Sequence, residues 1–143
     1  RTVEVLEICS SVPFTFHRAF DVTPDAFEAL ETLKKLGVKR VLTSGQKADV
    51  PAGKEILKNL VKKTEGKIII LPGGGINPQN VTEVIKDTGV KEIHLSGKNL
   101  FSSEMEFYNR EVGFNSNFQM PENKILKTDQ KIISEIKTII NAG

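Results

Sequence analysis

Four short apolar runs, Pro13–Ala19, Lys39–Thr43, Lys67–Leu71 and Lys91–Leu95, alternate with helix-length amphipathic segments, and no other feature of the chain restricts its fold as strongly. Such alternation belongs to a parallel sheet wrapped by helices, because each crossover between parallel strands must return over a face of the sheet. The runs are continuous rather than period-two, as strands covered on both faces should be. They predict burial of Phe16, Val41, Leu42, Ile68, Ile70 and Ile93.

The helices between them carry their own punctuation. Thr23 is suited to cap the first, with Pro24 at the first helical position, and Phe27, Leu30 and Leu33 then line one face until Gly37. A second helix, from about Gly53 to Lys63, turns Ile56, Leu57, Leu60 and Val61 inward. A third begins at Asn77-Pro78, buries Val81, Val84 and Ile85, and ends at Gly89; a last one, about Asp129–Asn141, presents Ile132, Ile133, Ile136, Ile139 and Ile140. Thr2 to Cys9 reads as the end of a helix already under way. The polar segment 98–127 breaks the rhythm and reads as a long loop excursion ordered in part by Phe101, Phe107, Tyr108 and Phe114.

Leu36-Gly37-Val38-Lys39-Arg40-Val41 recurs as Thr88-Gly89-Val90-Lys91-Glu92-Ile93, a repeat of two βα modules that favours a symmetric barrel over a doubly wound sheet. Chance likeness between two glycine-terminated helices is the competing explanation. A complete (β/α)₈ barrel needs roughly 200 residues at the least, so a chain of 143 residues that starts at Arg1 is expected to be part of one.

A net charge of +2 with lysines dispersed among acidic residues offers no concentrated basic face for nucleic acid. The single Cys9 rules out a disulfide within the chain and fits a reducing compartment, with the cytoplasm as the expected location. No apolar run approaches the roughly 18 residues of a membrane span.

In parallel βα folds the loops and helix N-termini converge at the C-terminal ends of the strands, where ligands collect. Those ends read Phe16-His17-Arg18-Ala19-Phe20-Asp21, Leu42-Thr43-Ser44-Gly45, Leu71-Pro72-Gly73-Gly74-Gly75-Ile76 and His94-Leu95-Ser96-Gly97-Lys98. The glycines let the backbone approach a ligand closely and turn free N–H groups toward an anion. Gly73, Gly74, Gly75, Ser96, Gly97 and Lys98 are therefore anion-binding candidates, against the alternative that the glycines only make tight turns. His17, Arg18, Asp21, His94 and Ser96 are candidates for chemistry: two titratable rings, a fixed cation, a carboxylate and a hydroxyl. The alternative is an Arg18–Asp21 ion pair tying strand to neighbour, with each histidine a hydrogen-bonded structural residue.

For a metal the sequence offers less. Copper(I) prefers thiolate and thioether ligands, and Cys9, Met105 and Met120 stand at no recognised ligand spacing. Cys9 and Met105 are kept as candidates; their other reading is as a small buried hydrophobe and a gap filler.

The segments Thr15-Phe16-His17-Arg18-Ala19-Phe20-Asp21, Arg40-Val41-Leu42-Thr43-Ser44-Gly45, Pro72-Gly73-Gly74-Gly75-Ile76 with Asn80, and Glu92-Ile93-His94-Leu95-Ser96 resemble, in order and spacing, the later strands of the CutC family. Met105 through Gly113 is similar to the family's following segment. The resemblance implies an α/β fold, a (β/α)₈ TIM barrel of which this chain is the C-terminal half, strands five to eight, often assembled as a homo-oligomer. It implies a copper-homeostasis role with copper(I) binding, and a rim carrying Arg18, Asp21, Thr43, Ser44, Gly73, Gly74, Gly75, His94 and Ser96. Lys98 stands where many members have arginine, which weakens bidentate anion binding. Two functions follow: a copper-handling barrel, or an enzyme acting on a small anionic or phosphorylated substrate at the rim. The expected partners are a small anion or a metal ion, with neither nucleic acid nor membrane.

Overall fold

A computed structural model describes residues 2–9, 12–107, 109 and 123–142. Helix α1 (Thr2–Ile8) leads into strand β1 (Thr15–Phe16), a 3-10 turn (Arg18–Val22), α2 (Ala26–Lys35), β2 (Arg40–Thr43), α3 (Val50–Lys63), β3 (Ile69–Pro72) and α4 (Val81–Thr88). The strands form one sheet in the order β1-β2-β3, all parallel, with Thr15 opposite Arg40 and Arg40 opposite Ile69. The chain is thus an α/β fold built on a parallel sheet, as the alternation of apolar runs requires.

The fourth expected strand, Lys91–Leu95, is reduced to one parallel bridge between Gly73 and His94, with the His94 N–H donating to the Pro72 carbonyl at 2.8 Å. It keeps its place in the sequential order. Gly97, at φ 53°, follows three residues after the bridge. The excursion 98–127 begins and ends in an antiparallel ribbon, β4 (Lys98–Ser102) with β5 (Lys124–Thr128), followed by α5 (Gln130–Ala142). Phe101 opposes Ile125 in that ribbon and Phe107 is exposed, whereas Tyr108, Phe114 and Met120 lie outside the described residues.

Helix starts differ from expectation for local reasons. Thr23 ends the 3-10 turn instead of opening α2, its N–H and hydroxyl both donating to the Phe20 carbonyl. Asp25 takes over as the cap, accepting from the N–H groups of Phe27 and Glu28 at 2.7 and 2.9 Å. Asp49 caps α3 several residues ahead of Gly53, with Pro51 in the first turn. Asn77-Pro78 forms a turn before α4, in which Asn77 Oδ1 accepts from the N–H groups of Gln79 and Asn80.

Burial alternates along the strands. Val41 and Thr43 of β2 and Ile70 and Pro72 of β3 are buried, meeting Leu30, Leu33, Leu57, Leu60, Val81 and Val84 from the helices. Each fully buried leucine contributes about 1.5–3 kcal/mol relative to exposure. Arg40, Leu42, Ile69 and Leu71 point to the other face and are half-buried, as are Phe16 and Ile93, so the expectation of complete burial on both faces holds for only one. At the N-terminal end of that second face Arg40 grips Glu92, Nε to Oε2 at 2.7 Å and Nη2 to Oε1 at 2.9 Å. Among the described residues no helix is long and apolar enough to cross a membrane.

Candidate functional site

The C-terminal ends of the strands carry a polar assembly whose hub is Asp21. The 3-10 turn folds this carboxylate back over the end of β2, where it accepts from Arg18 Nε at 2.7 Å, the Ser44 N–H at 3.0 Å, the Ser44 hydroxyl at 3.1 Å, the Gln46 N–H at 3.1 Å, and the Thr43 hydroxyl. Burial raises the affinity of the Asp21 carboxyl for a proton, yet the donors from Thr43, Arg18, Ser44 and Gln46 together outweigh it and hold the group below the usual carboxylate range. Asp21 is an anchored anion. Its side chain is 8% exposed, against 43% for Arg18.

Arg18 is oriented by this arrangement. Nε is taken by Asp21, and Nη2 donates to the buried Ser44 hydroxyl and to the Lys47 carbonyl. No hydrogen bond among the described residues engages Nη1. That nitrogen lies over Gly74, where a Cβ built on the glycine would stand 3.2 Å from it; Gly74 also has φ 119°, a conformation that side chains disfavour. The N–H groups of Gly74, Gly75 and Ile76 have no partner among the described residues, while the Gly74 carbonyl accepts from Val50 at the start of α3.

Beside Arg18 opens a cleft of about 510 Å³, lined by Gly73, Gly74, Gly75, His94, Ser96, Gly97, Lys98, Asn77, Gln79, Ile132 and Glu135 among others. The sequence candidates Arg18, Gly73–Gly75, His94, Ser96, Gly97 and Lys98 therefore share one concavity, with Asp21, Thr43 and Ser44 packed beneath Arg18. His17 is not part of the lining: its Nδ1 accepts from the Ala19 N–H at 3.0 Å, capping the 3-10 turn, and its ring stacks on Phe16. Thr43 and Ser44 are fully buried and hold the site together from below.

Three contributors escaped the sequence reading. Gln46 supports Asp21 through its backbone and ties its side chain to the Thr23 carbonyl at 2.7 Å. Gly53 abuts the rim loop so closely that a Cβ there would fall 1.8 Å from the Ser44 carbonyl oxygen. Glu135 reaches the cleft from α5, which is seated by Asp129 donating its N–H to the Gly97 carbonyl and by Ile133 against Gly97. Backbone contacts and helix placement leave no motif to detect, so only the bare glycine and glutamate stood in the sequence.

The sulfur candidates do not join this site. Cys9 lies in the turn after α1, in a hollow with Leu6, Phe14 and Leu36, and Met105 is exposed beyond β4. Among the described residues no three His, Cys, Asp or Glu side chains converge as a metal site. The donors present at the rim, guanidinium, ammonium and backbone N–H, suit an anion rather than copper(I).

The chain has close relatives. A protein named "family protein CutC" from Pasteurella multocida is 42% identical over 137 residues, covering 95% of this chain and 55% of that protein. A human protein named copper homeostasis protein cutC homolog is 35% identical over 137 residues, covering 96% of this chain and 49% of its own length. The chain thus spans about half the length of the curated relatives it matches. The crystal structure of CutC from Streptococcus agalactiae superposes with a TM-score of 0.60 at 31% identity, over 64% of this chain and 46% of that one. Since the model of the CutC family also matches residues 1–99, which include all four strand-end motifs, the chain belongs to the CutC family.

Proposed function

We propose that this chain supplies strands five to eight of a (β/α)₈ barrel serving copper homeostasis, and that its rim cleft binds a small anionic or phosphorylated ligand. The half-buried second face of the sheet supports the barrel reading, since barrel strands present alternate residues to an interior that further strands complete. The copper-homeostasis setting is the one in the names of the human and mouse relatives, and the lone Cys9 fits a reducing, cytoplasmic location.

One observation carries the ligand reading: a guanidinium fixed by Asp21 and Ser44 offers its remaining nitrogen beside the unengaged N–H groups of Gly74, Gly75 and Ile76. Donors held in place before the ligand arrives need no reorganisation, which is the property of an anion site. The role of copper(I) is then that of cargo or signal for the whole protein, with its ligands outside the rim described above.

Gly74→Asp is a poor test, because the φ of 119° strains any side chain there and the new Cβ would press on Arg18. Arg18→Gln is cleaner, since Arg18 is partly exposed and Asp21 keeps its other donors. Calorimetric titration with inorganic phosphate should show roughly tenfold or greater weakening in the variant, the worth of a hydrogen bond to a charged group. Equal affinity in parent and variant, or no phosphate binding by the parent, would refute the anion reading.

A further inference from the structure

Resting on the anion reading of the same cleft, we infer that its ligand is a zwitterion, a small organic phosphate carrying its own ammonium group. Charge is the reason. Arg18 is already neutralised by Asp21, which accepts from its Nε at 2.7 Å, so the pair adds orientation and donors but little net field. The two remaining formal charges on the cleft wall are Lys98, at the start of β4, and Glu135 on α5. Neither forms an ion pair or a side-chain hydrogen bond among the described residues, although α5 and β4 are tied together at their roots by Asn99 donating to Asp129 at 2.9 Å.

A bare phosphate dianion in this cleft would share it with Lys98, Arg18 and the glycine donors but also with the uncompensated carboxylate of Glu135. Glu135 then opposes binding. An ammonium on the same ligand turns that opposition into attraction and leaves both wall charges paired. The cleft, at about 510 Å³, has room for a phosphate and a short amine-bearing arm.

The test compares ethyl phosphate with phosphoethanolamine, which differ by the amine, in calorimetric titrations of the purified protein and of its Glu135→Gln variant. Glu135 is exposed on α5 and its replacement leaves the packing intact. The parent should bind phosphoethanolamine about fivefold more tightly than ethyl phosphate, the worth of a partly exposed ion pair. Glu135→Gln should abolish that preference and bind ethyl phosphate more tightly than the parent does. Equal affinity of the parent for both ligands, or a preference that survives in Glu135→Gln, would overturn the zwitterion while the anion reading stands. Failure of the parent to bind either compound would overturn the anion reading itself.

Discussion

Arg40 and Glu92, which occupy equivalent positions in the two copies of the repeated Gly-Val-Lys segment, clasp each other through two hydrogen bonds of 2.7 and 2.9 Å. Gly37 and Gly89 precede them at φ 75° and 74°, and Val38 and Val90 between are both buried. The repeat is therefore structural: each copy ends a helix in a left-handed glycine, buries a valine, and sends the charged side chain two positions beyond that valine to meet its counterpart. Among the described residues this is a bidentate tie between β2 and the segment that bridges to β3 through His94.

Both partners are about one third exposed, so the clasp should be worth little more than a surface pair. A double-mutant cycle with Arg40→Ala and Glu92→Ala, read by urea denaturation, should give a coupling energy of about 1 kcal/mol that shrinks as salt is added. A coupling near zero at low salt would mean that the two residues meet without mutual stabilisation.

Asp21 should govern the acid limb of stability. Its native carboxyl holds a proton less readily than an unfolded aspartate, whose pKa is about 3.9. The stabilisation is thus complete above that value and is lost as the pH falls through the lower native one. Asp21→Asn should cost about 2 kcal/mol at neutral pH, since several donors lose a charged acceptor, and should flatten the decline below pH about 4. Melting curves of both proteins across the acid range would show it; parallel pH profiles would remove Asp21 from its role as hub.

Gly53→Ala should be more damaging than most alanine substitutions in a helix, although alanine is the better helix former. The added methyl would lie 1.8 Å from the Ser44 carbonyl oxygen, so α3 or the rim loop must move. A loss of about 3 kcal/mol is expected, together with weaker phosphate binding because Ser44 positions Arg18. Unaltered stability and phosphate affinity would show that the two elements have slack.

How much of this was legible in the sequence depends on the kind of contact. The parallel sheet and the convergence of Arg18, Gly73–Gly75, His94 and Lys98 could be read, because strand ends in a parallel sheet must share one side and the motifs lie at those ends. The Arg18–Asp21 pair was also foreseen, as a structural alternative to chemistry, and the geometry makes it the support that orients the Arg18 guanidinium over Gly74. His17 was harder: whether an imidazole faces a cleft or caps a turn depends on the 3-10 conformation of Arg18–Val22, which no spacing announces. Gly53 and Glu135 depend on how whole helices seat against the rim, information spread over many apolar contacts and absent from either residue alone.

The second face of the sheet has a direction. At the beginning of its strands Arg40 and Glu92 neutralise each other within the fold. At their far end Arg18 Nη1 and the N–H groups of Gly74 and Gly75 have no partner among the described residues. An anion moving over this surface would therefore meet a neutralised ion pair at one end and, at the other, an oriented guanidinium beside open backbone amides.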